Sequence, residues 1–243
     1  MRLSPERYVE LLTHETELTV AGLDHVPLDA QVPACPDWTV ADLVRHTGTI
    51  HRWAKGLVEA AGEKAPFPTE APADDELGAW FLEGSDRLAA ALRAAPVDRP
   101  AFTFIGMQTA GFWLRRMPGE TAVHRWDLES THTAATTPLD PELAADGISE
   151  IFEVYKVRAG EGFYADAGSR SLHLHCTDIE GEWTLNRSPD GFTVTEDHTK
   201  STTAARGTAS ALVLFLWNRT GSETLDVFGD ESQLTEWQAA FNI

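Results

Sequence analysis

Cysteine is scarce in this chain: Cys35 and Cys176 are the only two among 243 residues. They are far apart and lack CxxC or Cys/His spacing, so neither a disulfide framework nor a structural zinc knuckle is expected. A chain of this length buries a core without such staples, and the cysteine usage suits a reducing cytoplasm. Basic residues are also few, 19 Lys and Arg against 38 Asp and Glu, for a formal net charge of −19. That charge repels phosphate backbones, and Arg115-Arg116 is the nearest thing to a basic stripe, which argues against nucleic acid as a partner. Long apolar runs are missing too. The opening stretch MRLSPERYVELLTHE carries a polar group every few residues, unlike a secretory signal, and no segment approaches a membrane span. A phosphate-cradling glycine loop, a dinucleotide fingerprint and a nucleophile elbow are all absent, which removes those enzyme classes.

What is present divides by period. Ser4-Pro5-Glu6 reads as a helix start, followed by Tyr8, Leu11, Leu12 and Leu18 at helical spacing. Cys35 to Trp38 reads as a loop, and Thr39 with Asp42 as a capping box opening a helix with a stripe of Val40, Leu43, Val44, Thr47, Ile50, Ala54 and Leu57. After a Pro-rich connection, Leu77, Trp80, Phe81, Leu88 and Leu92 mark a third helix. A fourth runs from about Gly111 to Ser130, where Pro118 predicts a kink or a fresh helix start. A fifth spans about Pro141 to Arg158.

Beyond Gly160 the pattern alternates. Leu172, Leu174 and Cys176 interleave with His173 and His175, and further strands cover Glu182 to Asn186 and Phe192 to Thr195, with a turn at Ser188-Pro189-Asp190-Gly191. Thr208 to Arg219 is a strongly apolar helix, Leu225 to Phe228 a short strand, and Glu231 to Phe241 a last helix. The expectation is an α+β chain of two domains, residues 1–162 helical and 163–243 a small mixed α/β domain.

Few residues carry chemistry. Glu120 and His124 are four apart in a helical region, so both project from one face and can share a ligand. A third donor has to come from another helix. His46 and His51 both lie at the margins of the second helix's buried stripe, and periodicity does not choose between them. His173 and His175 share one face of a strand and could chelate, but no third ligand is evident nearby, so they read as the polar outer face of an edge or half-exposed strand. Cys35 lacks a paired base, and Cys176 reads as a buried thiol.

The runs VPACPDWTVADLVRH (residues 32–46) and RRMPGETAVHRWD (residues 115–127) resemble the mycothiol-dependent maleylpyruvate isomerase family. The stretch from Gly207 through Leu212, Trp217 and Arg219 to Gly229-Asp230 resembles that family's second domain, so the resemblance covers nearly the whole chain. It implies a DinB-like four-helix bundle followed by a sterol-carrier-like α/β domain. It also implies a divalent metal, usually zinc, held by His46, Glu120 and His124, the histidine after the Trp-Thr pair being the ligand. Arg219 corresponds to an arginine of the second domain that reaches the site. Gly119 departs from the pattern, standing where relatives are expected to carry a further histidine. The implied activity uses mycothiol or a similar low-molecular-weight thiol to isomerise a maleylpyruvate-like cis-unsaturated acid. A thiol S-transferase is the alternative outcome of the same addition chemistry, and a non-catalytic small-molecule-binding protein is the second alternative. The expected partners are a small-molecule substrate and the thiol, without nucleic acid or membrane, in a cytoplasmic monomer or homodimer.

Overall fold

A computed structural model describes residues 3–132, 136–158, 170–188 and 191–240. The chain divides into two compact units, Met1–Thr137 and Pro138–Ile243.

Four helices build the first unit: α1 (Pro5–Leu23), α2 (Val40–Glu59), α3 (Leu77–Ala94) and α4 (Ala110–Glu129). Their starts follow local chemistry. The Ser4 hydroxyl accepts from the Arg7 N–H at 3.2 Å with Pro5 in the first turn. At the head of α2 the capping box is reciprocal: Asp42 N–H donates to Thr39 Oγ1 at 3.2 Å, and Thr39 N–H donates to Asp42 Oδ2 at 3.0 Å. α1 packs against α3 and α4, and α2 against the same two helices, giving a four-helix bundle.

Two hairpins were not legible in the sequence. Gln31–Val32 (β1) pairs with Cys35–Thr39 (β2), where a loop was expected, and Pro100–Thr103 (β3) pairs with Gly106–Thr109 (β4). Such strands are too short to show alternation. Each ends where a helix begins, β2 at α2 and β4 at α4, so the hairpins launch these two helices. Gly106, at φ 102°, supplies the left-handed turn residue between β3 and β4. α4 runs through Pro118 as one helix and does not restart there.

The bundle core has two apolar clusters. One gathers Tyr8, Leu12, Leu57, Leu88, Trp113 and Met117; the other gathers Val32, Val40, Leu43, Leu77, Phe81 and Leu128. Along α2 and α4 the stretch between them is a band of buried polar groups, Thr47, His51, Thr121, His124 and Arg125. That band, between the two apolar clusters, positions the candidate site.

The second unit begins with α5 (Pro141–Arg158). Its sheet has the order β7-β6-β5-β8-β9, from β5 (Ser171–Cys176), β6 (Glu182–Ser188), β7 (Gly191–Thr195), β8 (Thr203–Gly207) and β9 (Asp226–Gly229). β5 and β8 are parallel and the other pairs antiparallel. Helices α6 (Ala209–Leu216) and α7 (Ser232–Ala240) complete the unit. The unit boundary at Thr137/Pro138 falls earlier than the expected 162/163. The reason is packing: α5 lies against α6, and Ser149 on α5 accepts from Trp183 Nε1 on β6 at 2.8 Å, so α5 covers this sheet although its period matches the bundle helices. α6 is almost wholly apolar because nearly all of it is buried, and Asn218, at φ 59°, turns the chain out of it. The expected Ser188-to-Gly191 turn includes residues outside those described, as do the change of period near Gly160 and the end of the last helix at Phe241.

Candidate metal centre

His46 on α2 and Glu120 and His124 on α4 meet in the first unit, with one donor atom from each within 4.8 Å of the others. Glu120 Oε1 and His124 Nε2 are 3.4 Å apart, and the His46 and His124 rings face edge to plane with centroids 5.5 Å apart. Zinc–ligand bonds of about 2.1 Å put tetrahedral neighbours about 3.4 Å apart, so the helical pair already has the span of two ligands on one ion. Two imidazoles and a carboxylate are a donor set for a divalent transition metal with a coordination position left open.

The surroundings prepare each donor. His124 Nδ1 lies 3.0 Å from Oδ2 of the fully buried Asp127 one turn on, which places the Nδ1 proton on that side and leaves Nε2 facing Glu120. Burial works against a charged His124, but its hydrogen bonds to Asp127 and Glu120 outweigh it and raise the pKa. Burial also works against ionised Glu120. The Arg116 guanidinium, 2.8 Å from Oε2, together with His124 holds that carboxyl well below the usual carboxylate range. His46 is pushed down to about 4 by burial, with the neighbouring His124 acting in the same direction, so its ring is neutral and offers a lone pair. Trp38, from the strand that launches α2, lies against His46 with ring centroids 4.6 Å apart.

Packing separates the two histidines that periodicity left open. His51 is fully buried, with Nε2 2.8 Å from Thr121 Oγ1. The Thr121 hydroxyl donates its own proton to the Met117 carbonyl at 2.8 Å, so His51 must be the donor to Thr121. Burial pushes His51 down to about 3. It is a neutral core histidine, and it lies outside the His46, Glu120 and His124 group.

Sequence reasoning left Asp127, Arg116 and Trp38 without a role, although all three stand inside the quoted motifs. The i to i+3 spacing of His124 and Asp127 and the i to i+4 spacing of Arg116 and Glu120 were the available signals. At Gly119 an added Cβ would meet nothing within 4 Å, so packing at that atom does not require glycine.

The other candidates lie in the second unit. Arg219 follows the end of α6; its N–H donates to the Leu214 carbonyl at 2.9 Å and its Nη1 to the Trp217 carbonyl at 2.9 Å. His173 and His175 sit on β5, which is the central strand and not an edge, and His173 is buried. Glu182 and His198 join them, supplying the further donors that were not evident in the sequence. Cys176 is buried and Cys35 half-buried.

Two family profiles match the chain, one described as the mycothiol maleylpyruvate isomerase N-terminal domain over residues 9–129 and one as the MDMPI C-terminal domain over residues 142–236. The second begins within α5, in keeping with that helix's place in the second unit. Among solved structures, a mycothiol-dependent maleylpyruvate isomerase and a histidine-to-alanine mutant of it each align with a TM-score of 0.65 over 93% of both chains, at 17% sequence identity. At that identity the likeness is one of fold. No curated protein matches the chain.

Proposed function

As the chain belongs to the mycothiol-dependent maleylpyruvate isomerase family, we propose that it is a metal-dependent thiol enzyme isomerising a maleylpyruvate-like cis-unsaturated acid, with its ion held by His46, Glu120 and His124. The observation that carries this reading is the convergence of those three donors from two helices, with His124 oriented by a buried carboxylate. When bound, the ion would hold mycothiol or a similar thiol as its thiolate, the nucleophile needed for reversible addition to an activated double bond.

The protein's own residues do the rest. Asp127 keeps the His124 proton on Nδ1, so that Nε2 faces the shared centre. Arg116 keeps Glu120 ionised inside a buried site, where a carboxyl would otherwise take up a proton. Trp38 lies along His46 and packs one side of its ring. Arg219 is assigned by family resemblance to the anionic end of the substrate, where a guanidinium can meet a planar carboxylate or enolate with two parallel hydrogen bonds.

Metal analysis of variants tests the assignment. Alanine at His46, Glu120 or His124 should each strip the ion from this site, whereas His51→Ala should not; full occupancy of the site in Glu120→Ala would reject it. Mass spectrometry of thiol and acceptor after turnover then separates isomerisation, in which the thiol is regenerated, from net transfer, in which it stays on the acceptor.

A further inference from the structure

The second unit holds a group of metal donors that the proposed reaction does not use. His173 and His175 project from the same face of β5, opposite the Leu172, Leu174 and Cys176 face. Glu182 on β6 is the antiparallel partner of His175, so its carboxylate rises beside both rings. The segment after β7 is anchored by Thr184 Oγ1, which donates to the Asp197 carbonyl at 3.1 Å, and this sets His198 over the same carboxylate. His175 Nδ1 lies 2.5 Å from Glu182 Oε1, His198 Nδ1 3.0 Å from Oε2, and His173 Nε2 3.6 Å from Oε2. One donor atom from each of the four residues lies within 4.8 Å of the other three.

An orphaned atom distinguishes this group from an ordinary hydrogen-bonded cluster. His173 is 7% exposed, and its Nε2 is buried with no hydrogen-bond partner. Buried polar atoms without partners are rare and call for an explanation. The one carboxylate it points to already serves His175 and His198. A cation at the centre would use all four lone pairs at once, since neutral imidazole nitrogens and carboxylate oxygens are both metal donors. Three imidazoles and one carboxylate suit zinc and its transition-metal neighbours over magnesium or calcium, which prefer all-oxygen shells. The His198 side chain is 78% exposed and gives the ion a route in.

We propose that His173, His175, Glu182 and His198 form a second site for a divalent transition-metal ion, independent of the bundle centre. Four protein ligands make it a closed, structural site that ties the His198 segment to the sheet.

The test is zinc stoichiometry on the full chain, by elemental analysis after reconstitution and removal of loose ion. The expected result is two ions per chain, one remaining after joint alanine substitution of His46 and His124, one remaining after joint substitution of His173 and His175, and none when all four are changed. His198→Ala removes an exposed ligand without disturbing the sheet, and should weaken zinc at this site at least tenfold in competition with a chromophoric chelator. Cobalt(II) gives a second readout: tetrahedral d–d bands should survive loss of His46 and His124 and disappear from that protein on further loss of His173 and His175. An unchanged ion count in the folded His173/His175 variant, with unchanged affinity in His198→Ala, would overturn the proposal. A single ion lost with His46 and His124 would reject this site and leave the proposed function standing. A single ion lost only with His173 and His175 would do the reverse.

Discussion

The chemistry of single residues in the bundle turns on which ring nitrogen keeps its proton. His124 presents Nε2 to the centre because Asp127 holds Nδ1, and supporting partners of this kind commonly govern metal affinity by about 10–100-fold. Asp127→Ala is therefore expected to fold yet bind zinc at the bundle centre 10–100-fold more weakly, a loss measurable by chelator competition; unchanged affinity would reduce Asp127 to a packing residue. His51 makes the opposite case, a histidine kept neutral by burial. Its folded pKa of about 3 lies below the ordinary 6.5, so between those values the unfolded chain binds one more proton than the folded one. Stability from this group is thus fully present above pH 6.5 and falls as the pH drops toward 3, by about a factor of ten in the folding equilibrium per pH unit. His51→Gln keeps a donor for Thr121 but does not titrate there. Its denaturation midpoint should decline less steeply than the parent's between pH 6.5 and 4, and equal slopes would show that His51 does not cause this pH dependence.

Among the elements, α2 and α4 are set by how they begin. Hairpins deliver the chain to both starts, and the Thr39/Asp42 capping box fixes the first turn of α2 well before His46. Loss of a capping hydroxyl costs about 1 kcal/mol, so Thr39→Ala should lower the melting temperature by roughly 2–8 °C. Thr39→Ser should restore most of that loss, and zinc content at saturating ion should be unchanged in both variants, because His46 lies deeper in a packed helix. α4 shows why periodicity alone describes this bundle poorly. Residues around most of its circumference are buried, so it has no single apolar stripe, and its polar groups pair internally: Arg125 reaches Glu15 on α1 at 2.8 Å and Glu129 at 3.0 Å.

For the molecule as a whole, the proposed function gives the second unit a part in turnover through Arg219. Arg219 caps the Trp217 carbonyl, which by itself is an ordinary duty for a basic residue after a helix end. The functional assignment makes a sharper demand, because lysine can cap a carbonyl but cannot reproduce a two-bonded fork. Arg219→Lys should keep its fold and metal content while losing most of its turnover; unchanged kcat and KM at matched metal content would leave Arg219 a helix cap. Among the described residues no helix is long and apolar enough to cross a membrane.

Features that depend on near neighbours were readable along the chain. The capped starts of α1 and α2, the span of α5, the alternation of β5 and the shared face of Glu120 and His124 each involve residues within about four positions, where caps and periodicity act. Family likeness in the two N-terminal motifs added His46. Contacts between distant segments were beyond that reach. That His46 lies beside Glu120 and His124 while His51 pairs with Thr121 follows from how α2 packs on α4. That α5 belongs with the sheet follows from Ser149 meeting Trp183 across the layer. His173 and His175 looked like a solvated strand face because their companions, Glu182 and His198, arrive through strand pairing and a folded-back segment. A donor cluster is a property of positions in space, and a strand's own alternation records only which way its side chains point, not what the neighbouring strand and loop bring to meet them.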